Sequence, residues 1–303
     1  MKKILLVSTH INSPAVPGRA AVLSILENYL DGLDADVSTV MFEDLTYSIK
    51  DNKTLITMPG NIDVASYDLV YIKNWRAVET AATALAVYLQ TKGSRILCEE
   101  LLHFRVTDKI SEAFVLSCNG VPYPDTVFTV YSSNLPVAVE QNSGFTYPLV
   151  AKAVDGSAGS DNYLVDSRED LEKIVNENPK LQFMVQNMID NDGDHRILMM
   201  GFEPKLSFKR SRADDSTHLN NTSQGATAVL TKPEDYSKEI LEDCVKASKL
   251  VRREIAGVDI LIDKHTGRHV VLEVNASPQL SSGAYLEEKR SMIRDFFEME
   301  LAK

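Results

Sequence analysis

The sequence predicts a parallel α/β layer over its first hundred residues and α+β material from there to the C-terminus. Two observations carry this. Strand-like and helical segments alternate up to about residue 100, the pattern of a parallel sheet with crossover helices. From about residue 105 the alternation gives way to short apolar strands grouped between amphipathic helices. The length of 303 residues, with 44% hydrophobic and 25% charged side chains, supplies cores for two or three domains.

In chain order, KILLVS (3–8) reads as a first strand. RAAVLSILENYLDGL (19–33) has helical spacing and ends near a glycine. ADVSTVMF (35–42) and YDLVYIK (67–73) are strands. AVETAATALAVYLQTKG (77–93) is an alanine-rich helix closing on Gly93, and SRILCEE (94–100) is a strand. TDKISEAFVLSCNG (107–120) is a helix closed by Gly120. VPYPDTVFTV (121–130) leads into a strand, and FTYPLVAKAV (145–154) is another, followed by the loop DGSAGSDN and the strand YLV. SREDLEKIVNEN (167–178) is a capped helix. QFMVQNMID (182–190), HRILMMG (195–201), KLSFKR (205–210) and GATAVL (225–230) read as strands of an antiparallel sheet. Residues 234–255 form a long amphipathic helix, VDILID and HVVLEV a hairpin, and 283–301 a final helix.

Bulk properties exclude several classes. The net charge of -11 argues against a nucleic-acid or anionic-membrane partner. No apolar run reaches the roughly 18 residues of a membrane span. The N-terminal run ILLV is shorter than the about 7–15 residues of a signal peptide. Cys98, Cys118 and Cys244 are far apart and odd in number, so they suggest buried thiols in a reducing cytoplasm. No G-x-G-x-x-G or Walker loop follows the first strand, which counts against a nicotinamide oxidoreductase.

The candidate site begins with VVLEVNASPQL (270–280). Residues two apart in a strand share a face, so Glu273 and Asn275 point one way while Leu272 and Val274 point into the core. With 264–268 as the hairpin loop, 261 pairs with 271 and Asp259 sits across from Glu273. Like charges so placed destabilise a ladder. A hard divalent cation would compensate, because Mg²⁺ takes one or two carboxylates and completes its shell with water and phosphate oxygens. A solvent-facing hairpin with incidental acids is the alternative.

Lys152 lies within the apolar strand PLVAKAV, just before the glycine-containing loop DGSAGSDN. Burying an unpaired ammonium is expensive, and small residues let backbone amides approach an anion. Together they read as a phosphate site, against a snorkelling lysine beside a turn. Asp190, Asp192, Gly193 and Asp194 lack the Gly and Glu positions of a calcium loop. Lys209, Arg210 and Arg212 supply cations ahead of Asn221. Lys73 and Arg76 stand at the end of a parallel strand, where α/β ligands bind; a substrate carboxylate and a surface ion pair are both open for them.

In this order the stretches TDK, GVPYPDT, PLVAK, DGSAGS, VQNMI, GDHR, KR, NNTSQGATA, AGVDIL and LEVNASP resemble the ATP-grasp superfamily, nearest to its RimK-type glutamate ligases, with glutathione synthetases as wider relatives. The resemblance implies a Rossmann-like pre-ATP-grasp α/β domain over 1–104, a central ATP-grasp subdomain over 105–185 and a C-terminal one carrying the metal site over 186–303. It implies ATP and Mg²⁺, with Mn²⁺ as the alternative and two ions bound. By similarity Lys109 and Lys152 contact phosphates, and the loop of Gly156, Ser157 and Gly159 folds over them. Gln186, Asn187, Met188 and Ile189 hold adenine, and Asp194 the ribose. Asn221 stands near nucleotide and metal, and Arg210 near the transferred phosphoryl group. Asp259, Glu273 and Asn275 are the implied metal ligands.

Three departures stand out. Asn187 replaces the usual linker Glu. His218-Leu219-Asn220-Asn221 replaces F-R-S-N, without its Arg. ASPQL follows E-V-N, nearer to the RimK pattern than to that of peptide macrocyclases. The implied activity is ATP-dependent carboxylate–amine ligation through an acyl phosphate, adding glutamate or another amino acid to a peptide, protein tail or small molecule. The carboxylate and amine substrates and a homo-oligomeric state stay open. The rival is a non-catalytic nucleotide-binding or regulatory protein on the same fold.

Overall fold

The computed structural model describes residues 1–9, 19–50, 53–103, 108–155, 161–211 and 227–303. Its N-terminal part contains β1 (Lys2–Ser8), α1 (Arg19–Tyr29), β2 (Ala35–Met41), β3 (Thr46–Lys50), β4 (Lys53–Met58), β5 (Ile62–Asp63), β6 (Leu69–Ile72), α2 (Glu79–Lys92) and β7 (Arg95–Leu97). The strands β2-β1-β6-β7 form a parallel sheet in that order, as the alternating pattern predicts. Ile4, Leu5, Leu6 and Val7 are all buried, because helices cover both faces of a parallel sheet. Gly93 ends α2 with φ +85°, donating to the carbonyls of Leu89 and Gln90, the left-handed cap its sequence predicts. The antiparallel β3-β4-β5 sheet is absent from the sequence reading; its strand TYSIK alternates Tyr47 and Ile49 with polar residues over only five positions, and it is exposed throughout.

The middle of the chain contains α3 (Lys109–Cys118), β8 (Thr126–Phe128), α4 (Leu135–Gln141), β9 (Leu149–Ala153), β10 (Asn162–Val165), α5 (Arg168–Glu177) and β11 (Phe183–Asn187). The strands form an antiparallel sheet in the order β10-β9-β11-β8, covered by α4 and α5. Strand β11 therefore belongs here, which corrects the sequence expectation that grouped it with the later strands. The expected boundary at 185–186 falls inside it. The short α4, carrying Pro136 in its first turn, escapes sequence pattern.

The last part contains β12 (Asp194–Met200), β13 (Glu203–Ser211), β14 (Thr227–Thr231), α6 (Lys238–Leu250), β15 (Ile255–Ile262), β16 (His269–Asn275) and α7 (Leu286–Leu301). The antiparallel sheet runs β14-β13-β12-β15-β16. The helix expected over 234–255 is shorter. Ser248 Oγ donates to the carbonyl of Arg253 at 2.6 Å, Arg252 takes φ +56°, and the chain turns into β15 at Ile255. Helix α7 buries Met292, Ile293, Phe296 and Phe297 in one core with β1, α1, β12 and β13. Each such side chain contributes roughly 1.5–3 kcal/mol, so α7 ties the first sheet to the last. Of the three cysteines, Cys244 is buried, Cys98 is half-buried and Cys118 is exposed, against the expectation of three buried thiols. Among the described residues no helix is long and apolar enough to cross a membrane.

Candidate nucleotide and metal site

The hairpin β15–β16 places Asp259 opposite Glu273, as its loop length predicts. The rest of the register differs. Ile260 pairs with Val271 and Leu261 with Val270, so Leu272 is the extra residue of a bulge. The bulge breaks the two-residue alternation, and Val271 and Val274 fill the core instead of Leu272 and Val274. Bulges re-aim side chains next to active sites, and this one carries Glu273 and Asn275 across to the face of Asp259.

The charges on that face are balanced differently from the sequence expectation. On β12, Arg196 pairs in register with Asp259 and grips it with both nitrogens, Nε to Oδ1 and Nη2 to Oδ2, each at 2.6 Å. On β13, Arg210 reaches Asp259 Oδ2 at 3.2 Å and binds both oxygens of Asp194, with Nε to Oδ1 at 2.7 Å. Asn275 Nδ2 also donates to Asp259 Oδ2, at 3.1 Å. Two guanidiniums thus neutralise the acid that a cation was expected to neutralise. The two carboxylates share Arg210 and titrate as a set. Despite burial, Arg196 and Arg210 hold Asp259 below the usual carboxylate range, whereas burial pushes Asp194, with fewer cations on it, up to about 6. Gly193 is required beside this lattice. It has φ +122°, and a Cβ there would lie 2.4 Å from the carbonyl oxygen of Arg210.

Glu273 has no ion pair with any described residue. Its charge faces Lys109, at the start of α3, and Lys152, on β9. Burial lowers the pKa of both lysines, that of Lys152 to about 8, and Glu273 opposes the shift in each. Lys109 Nζ donates to the carbonyl of Ala153 at 3.2 Å, which sets it beside the end of β9. Arg76 and Asp155 also act on Lys109 through space. Two cations from separate elements, Lys109 and Lys152, therefore face one carboxylate. A hard divalent ion fits this donor set: Glu273 is unpaired, Asp259 lies opposite, and Asn275, donating through its nitrogen, keeps its carbonyl oxygen as an acceptor. Among the described residues no third His, Cys, Asp or Glu joins them.

Beside these lysines, Gln186 is buried on β11 and donates to Thr126 Oγ1 at 3.0 Å. Asn187 donates to the carbonyl of Gly144 at 3.0 Å and to Asp125 Oδ2 at 3.3 Å, so its amide secures the sheet edge. Met188 and Ile189 follow the last rung of that ladder, Asn187 with Leu149. Gly156, Ser157, Gly159 and Asn221 lie outside the described residues. Lys73 is buried and donates to the carbonyl of Pro278 at 3.1 Å, which removes the surface ion pair as a reading for it.

Sequence reasoning missed Arg196 and a buried network behind β16. Arg196 had a signal, since it shares a strand face with Asp194 and stands in the quoted GDHR. In the network, Arg253 binds Glu100 at 2.9 Å, Glu112 at 2.6 Å and the carbonyl of Val274 at 2.5 Å, while Glu112 accepts from the amide of Val274 at 2.7 Å. Burial pushes Glu112 up to about 7. These groups clamp the strand at Val274, next to Glu273, and no local pattern in the sequence joins them.

Lys152 on the four-stranded antiparallel sheet and Lys109 at the start of α3 thus face Glu273 on the five-stranded sheet. The RimK-like ATP-grasp domain model matches residues 106–289, and the chain belongs to that family. It is 27% identical over 259 residues to a probable alpha-L-glutamate ligase of Vibrio parahaemolyticus, covering 82% of each chain. It is 28% identical over 252 residues to a probable alpha-L-glutamate ligase 2 of Shewanella baltica, covering 80% of each. The ATP-grasp ligase PsnB, solved with a minimal precursor, has the same fold, with a TM-score of 0.72 at 19% identity over 99% of this chain and 100% of that one. The chain is an ATP-dependent carboxylate–amine ligase, an enzyme of a family that uses ATP and Mg²⁺.

Proposed function

We propose that the enzyme activates a carboxylate as an acyl phosphate and passes the acyl group to an amine. A carboxylate oxygen of the substrate attacks the γ-phosphorus of ATP, the bond to the bridging oxygen breaks, and ADP leaves. The amine nitrogen then attacks the acyl carbon, the amide forms, and phosphate leaves while the amine proton passes to solvent or substrate. The observation that carries this reading is the convergence of Lys109 and Lys152 on the unpaired Glu273, opposite Asp259.

Lys109 and Lys152 hold phosphate oxygens, and the loop with Gly156, Ser157 and Gly159 supplies amides to them. Gln186 to Ile189 line the adenine side. Asp259, Glu273 and Asn275 hold two divalent ions, Mg²⁺ with Mn²⁺ as a substitute, and Asn221 stands beside them. Such ions neutralise charge spreading over the transferring phosphoryl oxygens, where phosphoryl transfer is helped most. Arg210 faces the same oxygens. Asp194 acts through Arg210, because both of its oxygens accept from that guanidinium. The acyl group comes from glutamate or another amino acid, or from the carboxylate of a peptide or protein. The relatives named as glutamate ligases and a fold neighbour solved with its precursor support both sources.

Hydroxylamine tests the chemistry without knowledge of the amine. With ATP, Mg²⁺ and the right carboxylate, it traps the acyl phosphate as a hydroxamate and ADP accumulates. Glu273→Gln abolishes the trapping. Release of AMP and pyrophosphate would show an acyl adenylate instead and overturn the proposal.

A further inference from the structure

Beyond the lysine pair lies a second pocket whose occupant the phosphoryl-transfer site does not supply. A cavity of about 190 Å³ opens between the last sheet and α7, walled by Arg196, Arg210, Phe208, Tyr285, Gln279 and Lys289. Among the described residues no acidic side chain lines it. Arg196 and Arg210 are balanced by Asp259 and Asp194. Lys289 is not balanced. It is only 5% exposed, and no carboxylate among the described residues lies within ion-pair distance of it. Its ammonium donates to the carbonyl of Ser282 at 2.7 Å and sits 5.4 Å from the centroid of Phe208, whose ring stacks on Tyr285 at 5.7 Å. Burying an ammonium without a counter-charge is expensive and persists where a ligand supplies the charge. Burial and the charge of Arg196 lower its pKa to about 8, the direction expected of a cation that lacks an anion.

We infer that this cavity is the specificity pocket for an anionic group of the carboxylate substrate, with Lys289 as its counter-ion and the rings of Phe208 and Tyr285 flanking its methylenes. The inference rests on the ligase reading above. The cavity abuts the proposed metal ligands, because Arg196 and Arg210 both touch Asp259. Its volume is well below the roughly 300–1,000 Å³ of pockets that enclose whole drug-sized ligands. It therefore suits the end of one acidic residue, whether a free dicarboxylic amino acid or an acidic side chain within a peptide.

Hydroxamate formation is measured with L-glutamate and L-glutamine, and with the blocked peptides acetyl-Gly-Glu-Gly and acetyl-Gly-Gln-Gly. The acidic member of at least one pair is preferred, and the pair that shows the preference names the source. Lys289→Met lowers kcat/KM for that acid by roughly 10- to 100-fold, the loss of one charge-assisted hydrogen bond, and brings it near the neutral analogue. Lys289→Arg keeps the preference. An unchanged preference in Lys289→Met, or no preference in the unaltered enzyme, overturns the inference. Calorimetry with the same four probes, in the presence of a non-hydrolysable ATP analogue and Mg²⁺, separates the two readings. If no probe or extract carboxylate gives hydroxamate, yet an acidic probe binds the unaltered protein at least 10-fold tighter than Lys289→Met, the ligase reading falls and the pocket stands. Equal binding to both proteins overturns the pocket.

Discussion

Replacing Asp259 by Asn removes one charge from a lattice of two arginines and two carboxylates. On the sequence alone, deleting either member of a cross-strand acid pair relieves repulsion and leaves the metal-free protein as stable or more so. The structure reverses this for Asp259. Its side chain is 10% exposed and those of Arg196 and Arg210 are 16% and 6% exposed, so the variant leaves two guanidiniums in a dry site with Asp194 as their one remaining carboxylate. Breaking a buried pair costs about 3–5 kcal/mol. Asn keeps one carbonyl oxygen for Arg196, which places Asp259→Asn at the lower end, about 3 kcal/mol. Glu273→Gln has no ion pair to lose. It gives up attraction to two lysines and gains relief from Asp259, and its net effect stays within about 1 kcal/mol. The comparison is made by urea denaturation in EDTA, followed by circular dichroism. The loss in Asp259→Asn is acid-sensitive in the expected direction. Because the folded pKa of Asp259 is depressed, its stabilisation is present above the unfolded value of about 3.9 and disappears as pH falls through the folded one. An Asp259→Asn protein as stable as the unaltered one in metal-free buffer at neutral pH would refute the lattice as the site's support.

Two further outcomes are expected. Lys152→Met keeps the aliphatic stem and removes the charge, weakening a non-hydrolysable ATP analogue by roughly 1.5–3 kcal/mol in calorimetry; unchanged affinity would remove Lys152 from the phosphate site. His195 is held neutral by burial and by Lys209 and Arg210, with its pKa lowered to about 4, so between about 6.5 and 4 the unfolded chain binds a proton that the folded one refuses, and stability is lost as pH drops through that window. His195→Gln flattens this slope in thermal melts, and identical slopes would contradict the assignment.

The legible parts of the fold are those set by local chemistry. The ends of α2 and α3 follow from Gly93 and Gly120, both at positive φ, and the crossover pattern fixes the parallel sheet. The pairing of Asp259 with Glu273 follows from a hairpin loop. The bulge at Leu272 does not, because one extra residue changes no local propensity, and only the packing of Val271 and Val274 against α6 reveals it. The assignment of β11 to the middle sheet is equally invisible, since QFMVQN satisfies either sheet. The partners of Arg196 and Arg253 are unreadable in another way. Nothing in HRILMM or RREIAG says which carboxylate, 63 or 153 residues distant, each will meet.

The site also resolves an electrostatic conflict. The chain carries a net charge of -11, which opposes the approach of ATP and of any acidic substrate. Locally the balance is the other way. Asp194 and Asp259 are spent on Arg196 and Arg210. Glu112 is balanced by Arg253. Among the described residues, what remains is Glu273 facing Lys109 and Lys152, with Arg76 and Asp155 acting on Lys109, and Lys289 in the adjoining cavity. Low-dielectric walls focus such a field, so the cleft is electropositive inside an acidic protein. The guanidinium lattice thus does more than hold a strand. It balances Asp194 and Asp259, whereas Glu273 has no ion pair with any described residue; on the proposed reading Glu273 takes up, with Asp259 and Asn275, the cations that arrive with ATP.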